Sequence, residues 1–136
     1  MTCPSQDAAC PKAGVGPRDA EAVAAKCPGL AMAARLDAGF RDLLAAYHRR
    51  IWGGGTIPLK YKYLMALATA VTGREKERAL LEANKALRCG ATADEIRETL
   101  EMCVWLGGSP LLVEMVGPVM RFVAKRLATA TERRDA

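Results

Sequence analysis

Aromatic residues make up only 5% of this 136-residue chain, and histidine occurs once, as His48. Alanine and leucine carry most of the apolar mass instead, a balance that favours helices over sheets. No segment alternates with period two, so strands are not expected. The most apolar run, Tyr63 to Val71, falls far short of the ~20 residues a membrane span requires. The N-terminal MTCPSQDAACPKAGVGPRD also lacks the apolar core of a secretory signal. These absences point to a cytoplasmic protein without a membrane partner.

Missing too are a CxxC pair and zinc-finger spacing: Cys3, Cys10, Cys27, Cys89 and Cys103 form an odd, scattered set. No metal site is expected, and in a reducing cytosol all five would be thiols. Cys89 and Cys103 fall on helical faces, where cysteine acts as a small core residue. Lys and Arg number 20 against 15 for Asp and Glu, a formal charge of +5. That mild excess forms no continuous basic patch interleaved with aromatics, which argues against a nucleic-acid partner. The closest approach to one, Lys125, Arg126, Arg133 and Arg134, is diluted by Glu132 and Asp135 and reads as a solvated helix end.

What is present suits one all-α domain of five or six helices. A Pro/Gly/Ala-rich leader over 1–16 precedes a helical domain over 17–130, and 131–136 is a polar tail. Pro17 to Lys26 suits a short helix stopped by Pro28-Gly29. From Ala31 to Trp52 one long amphipathic pattern places Leu36, Phe40, Leu43, Leu44, Tyr47 and Ile51 on a stripe, ended by Gly53-Gly54-Gly55. Thr56 and Pro58 suit the start of the next helix, with Leu59, Tyr63, Leu64, Leu67 and Ala68 on one side. Lys60 and Lys62 sit at its start, where the helix dipole disfavours cations, so solvent or an anionic partner should receive them.

Past Gly73, a helix from about Glu75 to Arg88 ends at Cys89-Gly90, with glycine in the left-handed position beyond a C-terminus. Thr92 to Glu95 is a capping box that opens a helix burying Ile96, Leu100, Cys103 and Val104 and broken by Gly107-Gly108. Ser109-Pro110 starts a last helix toward Ala128, with a kink or break at Gly117-Pro118. Met102, Trp105, Met115 and Met120 near the glycine-rich corner suit core positions or the lining of an apolar pocket, and an oligomer interface could use them equally.

Glu75, Arg78 and Glu82 fall along one stripe of the Glu75–Arg88 helix among alanines and leucines. Read alone, the stripe is a salt-bridged solvent face. The run from Ile57 to Pro110, however, resembles the carboxymuconolactone decarboxylase and alkylhydroperoxidase-D-like superfamily. The resemblance rests on IPLKYKYLMALATAV, a helix leading to AxxxG at Ala86–Gly90, the ATADEI box, and a helix ending in LGGSP, in that order.

The resemblance implies an all-helical fold, assembly into homotrimers or homohexamers, no bound cofactor, and a site on the helix that ends at AxxxG. In the peroxidase branch that helix carries CxxCxxxH. Counting back from Gly90 puts the histidine's place at Glu82 and the cysteines' places at Arg78 and Glu75. Neither glutamate nor arginine can attack a peroxide or close a disulfide. The disulfide-mediated peroxidase cycle should therefore be missing, and a displaced dithiol from Cys89 and Cys103 would need their Cα atoms within about 7 Å. The decarboxylase branch keeps the histidine without the cysteines, so cofactor-free acid–base work by Glu82, with Arg78 and Glu75 beside it, stays open. So does a small carboxylated lactone as substrate, with Lys60 and Trp105 as substrate-binding candidates. A non-catalytic oligomer that binds a ligand or partner is the alternative. His48, between Tyr47 and two arginines, reads as a surface residue rather than a relocated acid–base group.

Overall fold

The computed structural model describes residues 28–53 and 55–135. The helix expected over 17–26, the leader, and Cys3, Cys10 and Cys27 lie outside the described residues. Six α-helices and one π-helical turn make up the architecture, and the described residues contain no strand: α1 Pro28–Leu36, α2 Ala38–Trp52, α3 Leu59–Thr72, α4 Lys76–Arg88, α5 Ala93–Gly107, the π turn Leu112–Val116, and α6 Gly117–Asp135. None of these helices is long and apolar enough to cross a membrane. Two compact units meet in sequence between Leu59 and Lys60.

In the first unit the single long pattern expected from Ala31 to Trp52 is two helices. Asp37 takes an extended conformation and its carboxylate accepts the Phe40 N–H at 2.7 Å, capping α2. A short acceptor side chain satisfies one of the free donors at a helix start, so an aspartate followed by Ala38-Gly39 opens a helix where periodicity alone predicts continuation. The small core here joins Leu30 and Ala45, with Leu44 packed against it. The expected stripe is also displaced: Leu36, Leu43 and Tyr47 are exposed, and Phe40 and Ile51 nearly half so.

The second unit holds the main core. Leu64, Leu67, Ala70 and Val71 of α3 pack with Ala79, Ala83 and Ala86 of α4, with Ile96, Leu100 and Cys103 of α5, and with Leu111, Met115, Val119 and Val123. Three alanines at four- and three-residue spacing give α4 a smooth inner face, over which neighbouring helices can approach closely. At the end of α3 the left-handed residue is Arg74, at φ 58°, rather than Gly73. Glu75 N–H reaches Ala70 C=O at 2.9 Å and Arg74 N–H reaches Val71 C=O at 3.0 Å, closing the C-terminus. An ion pair from Arg74 to Glu114 ties this corner to the π turn.

Gly90, at φ 88°, closes α4 in the same manner, with Ala91 N–H bonded to Ala86 C=O at 2.9 Å. The capping box then forms as the sequence predicts. Glu95 N–H donates to Thr92 Oγ1 at 3.1 Å and Thr92 N–H donates to Glu95 Oε2 at 2.8 Å. Near Gly117-Pro118 the chain widens instead of kinking: Gly117 N–H bonds five residues back to Leu112 C=O. Proline offers no N–H, and a π turn before it accommodates the missing donor. Helix α6 continues from there to Asp135, past the Ala128 end expected for it.

Candidate functional site

Helix α4 splits the charged stripe. Glu75 is the N-cap residue with non-helical backbone, and Arg78 lies in the first turn. Their ion pair, at 3.8 Å, leaves both side chains about half exposed. An exposed pair of this kind contributes roughly 0.2–1 kcal/mol. Glu82 comes one turn deeper, on the face shared by Ala79, Ala83 and Ala86, and retains only 5% of its exposure. The inward face of α4 thus carries a carboxylate among alanines.

That carboxylate is half satisfied. Oε1 accepts from Lys85 Nζ at 3.2 Å. Oε2 is fully buried and has no hydrogen-bond partner among the described residues. A buried acceptor left without a donor costs about 1–3 kcal/mol, and more when it is charged. Lys85 is the partly solvated member of the pair, its side chain 19% exposed, and its ammonium lies 5.7 Å from the centre of the Tyr63 ring on α3. Tyr63, Glu82 and Lys85 therefore form a two-helix cluster with one unused acceptor and unused ammonium donors, since an ammonium carries three N–H groups.

Two further polar links surround α4. Arg126 Nε on α6 donates to Oδ1 of the buried Asn84 at 3.0 Å, fastening α4 to the last helix. Lys60 Nζ on α3 donates to Glu95 Oε1 at 2.8 Å. Lys60 thus has its anionic partner within the chain. This bond and the Thr92 N–H hold the Glu95 carboxyl below the ordinary glutamate range, while Glu95 pushes Lys60 above the ordinary lysine range.

The two described cysteines differ in state. Cys103 is a free thiol, 2% exposed, whose Sγ faces the Ala68 carbonyl at 3.8 Å. Burial pushes its pKa up, away from the thiolate a nucleophile needs. Cys89 is disulfide-bonded, in contrast to the expected thiol, so it forms no dithiol with Cys103. Among the described residues no group of three or more His, Cys, Asp or Glu could hold a metal ion.

Met115 is core, but Met102 is 58% exposed and Trp105 84%, so the core reading of these two does not hold. Residues 106 to 113 add Leu106, Leu112 and Val113, all more than half exposed. His48 is half-buried on α2.

Sequence reasoning passed over Lys85, although its spacing of three from Glu82 was a visible sign of an ion pair. The Asn84–Arg126 bond spans 42 residues and left no local sign.

A model of the carboxymuconolactone decarboxylase family matches residues 38–119. The fold is similar to that of a crystal structure from Burkholderia xenovorans LB400 named for the same family, with a TM-score of 0.66 and 17% identity, covering 78% of this chain and 83% of that one. No curated protein matches the chain.

Proposed function

This chain belongs to the carboxymuconolactone decarboxylase family, and from that premise we propose a member that works without the disulfide-mediated peroxidase cycle, through a carboxylate–ammonium centre formed by Glu82 and Lys85. The observation that carries the reading is the orphaned Oε2 of Glu82, buried on the helix that ends at Gly90. A buried polar atom held without a partner is costly to stability, and such costs concentrate where an atom has work to do. A carboxylate can take and return a proton with no bound cofactor.

The rest of the chain supports a non-redox role. Glu75 and Arg78 occupy the places of the family's cysteine pair, Cys103 is buried as a thiol, and Cys89 is already in a disulfide. In this reading Glu82 transfers the proton, Lys85 holds the developing charge, and the Glu75–Arg78 pair lies outside the centre. A small oxygen-rich ligand such as a lactone, meeting the ammonium through a neutral carbonyl oxygen, suits a site with one acceptor and spare ammonium donors. Lys60, engaged by Glu95, acts in joining α3 to α5. Trp105 serves association instead: with Leu106 and Val113 it is one of the exposed apolar side chains that a homotrimer or homohexamer would cover.

Peroxide consumption with a dithiol reductant provides the test. The purified protein should turn over no more hydrogen peroxide than its Cys89→Ser/Cys103→Ser variant. A clear loss of turnover in that variant would restore a thiol cycle and remove this reading.

A further inference from the structure

We propose that the Glu82–Lys85 pair takes a small neutral carbonyl compound bearing an acidic C–H next to the carbonyl, and catalyses its enolisation. The proposal rests on the reading of this pair as the functional centre.

The argument starts from the unused valences. Glu82 Oε2 is an acceptor with no donor, and Lys85 Nζ spends one of its donors on Glu82 Oε1. The two functions stand side by side, because residues three apart on a helix share a face. The complement of an acceptor beside a donor is a group that offers a hydrogen beside an acceptor atom. An enolisable carbonyl does so: its oxygen faces the ammonium and its α-hydrogen the carboxylate.

Charge narrows the choice further. The pair is neutral as a whole, so a simple anion drawn to Lys85 would be repelled by a carboxylate 3.2 Å behind it. A neutral carbonyl meets no such opposition, and its negative charge appears only as the proton leaves, beside an ammonium already in place. Tyr63 bounds the ammonium from α3. Lys85 is the more exposed member, at 19% against 6% for Glu82, so a ligand meets its flexible four-carbon stem first.

The step balances within the chain. Oε2 takes the α-proton, the C–H electron pair becomes the carbon–carbon double bond, and the carbonyl π pair moves onto oxygen as an enolate held by Lys85 N–H. The carboxylic acid so formed on Glu82 returns its proton to carbon, at the same or a conjugated position. No oxidant, reductant or co-reactant is consumed.

Exchange of α-hydrogen for deuterium in cyclohexanone, followed by NMR in buffered D2O near neutral pH, reads this chemistry directly. The full chain should accelerate exchange above buffer. Glu82→Gln should lose on the order of a hundredfold of that acceleration, with its helical circular dichroism unchanged. Lys85→Met should lose a comparable amount, while Lys85→Arg, which keeps the charge and folds if the methionine variant does not, should retain part of it. Exchange at the buffer rate with the full chain, or undiminished exchange in Glu82→Gln, overturns the proposal. The peroxide assay is independent of both outcomes: exchange at the buffer rate with no thiol-dependent peroxide turnover removes the carbonyl chemistry alone and leaves the non-redox reading in place.

Discussion

Glu82 is the residue on which structure and chemistry converge, and its energetics run against stability. Its carboxylate sits among alanines with one oxygen paired to Lys85 and the other without a partner among the described residues. Replacing both members of a buried ion pair by well-packed apolar groups is neutral or stabilising by about 1–4 kcal/mol, and removing one member is costly where the other charge stays buried. Lys85, partly solvated, can turn its ammonium to water once the partner is gone. Glu82→Met, close in volume, should therefore raise the urea midpoint of unfolding with the slope unchanged. A lower midpoint would mean that the pair stabilises the fold, and that Glu82 is retained for structure. That Glu82 lies on α4, eight residues before Gly90, was legible in the sequence. Its burial was not, because three charged residues at helical spacing look alike until one knows where the helix begins. Glu75 falls before that beginning, and only Glu82 is carried inward.

Among the elements, the join between α3 and α5 makes the clearest prediction. Glu95 serves two partners, Lys60 through Oε1 and the Thr92 N–H through Oε2. Its folded pKa is depressed, first by the Lys60 bond and then by the Thr92 N–H. The sign follows: the stability it contributes is complete above the pH at which a free glutamate titrates, about 4.3, and is lost as the pH falls through the depressed folded value. Glu95→Gln keeps a capping acceptor and loses the charge. Urea midpoints for parent and variant, taken between neutrality and pH 3, should differ most near neutral pH and converge in acid. A constant gap across that range would deny the carboxylate this role. The capping box itself was plain in the sequence because its donors and acceptors lie within four residues. The division of the first long pattern at Asp37 was equally local and was overlooked, since hydrophobic period suggested continuity. The π turn needed the tertiary structure: Pro118 announces a fault in the helix, but the Arg74–Glu114 pair and the buried Met115 belong to the widened form it takes.

For the whole molecule, the exposed apolar surface is the guide. Trp105 and Val113 are each more than 80% exposed, and Leu106 is 75% exposed at the end of α5. Apolar side chains so placed mark association surfaces when they cluster. The parent protein should sediment as a trimer or hexamer in analytical ultracentrifugation. Trp105→Asp/Val113→Asp should shift it to monomer while leaving its circular dichroism unchanged, since neither side chain belongs to the core. A monomeric parent, or an oligomer indifferent to the substitutions, would remove the assembly from this picture.

By itself the sequence determined the all-helical class, the C-terminal end of α4 and the start of α5, and the family, because caps, glycine termini and apolar period arise from contacts a few residues apart. Only the tertiary structure decided which face each helix buries, that Met102 and Trp105 turn outward, and that a single carboxylate of three is closed off with one oxygen unpaired. Those outcomes depend on which helices meet, and Asn84 with Arg126 or Tyr63 with Lys85 can be brought together only by the packing of helices distant along the chain.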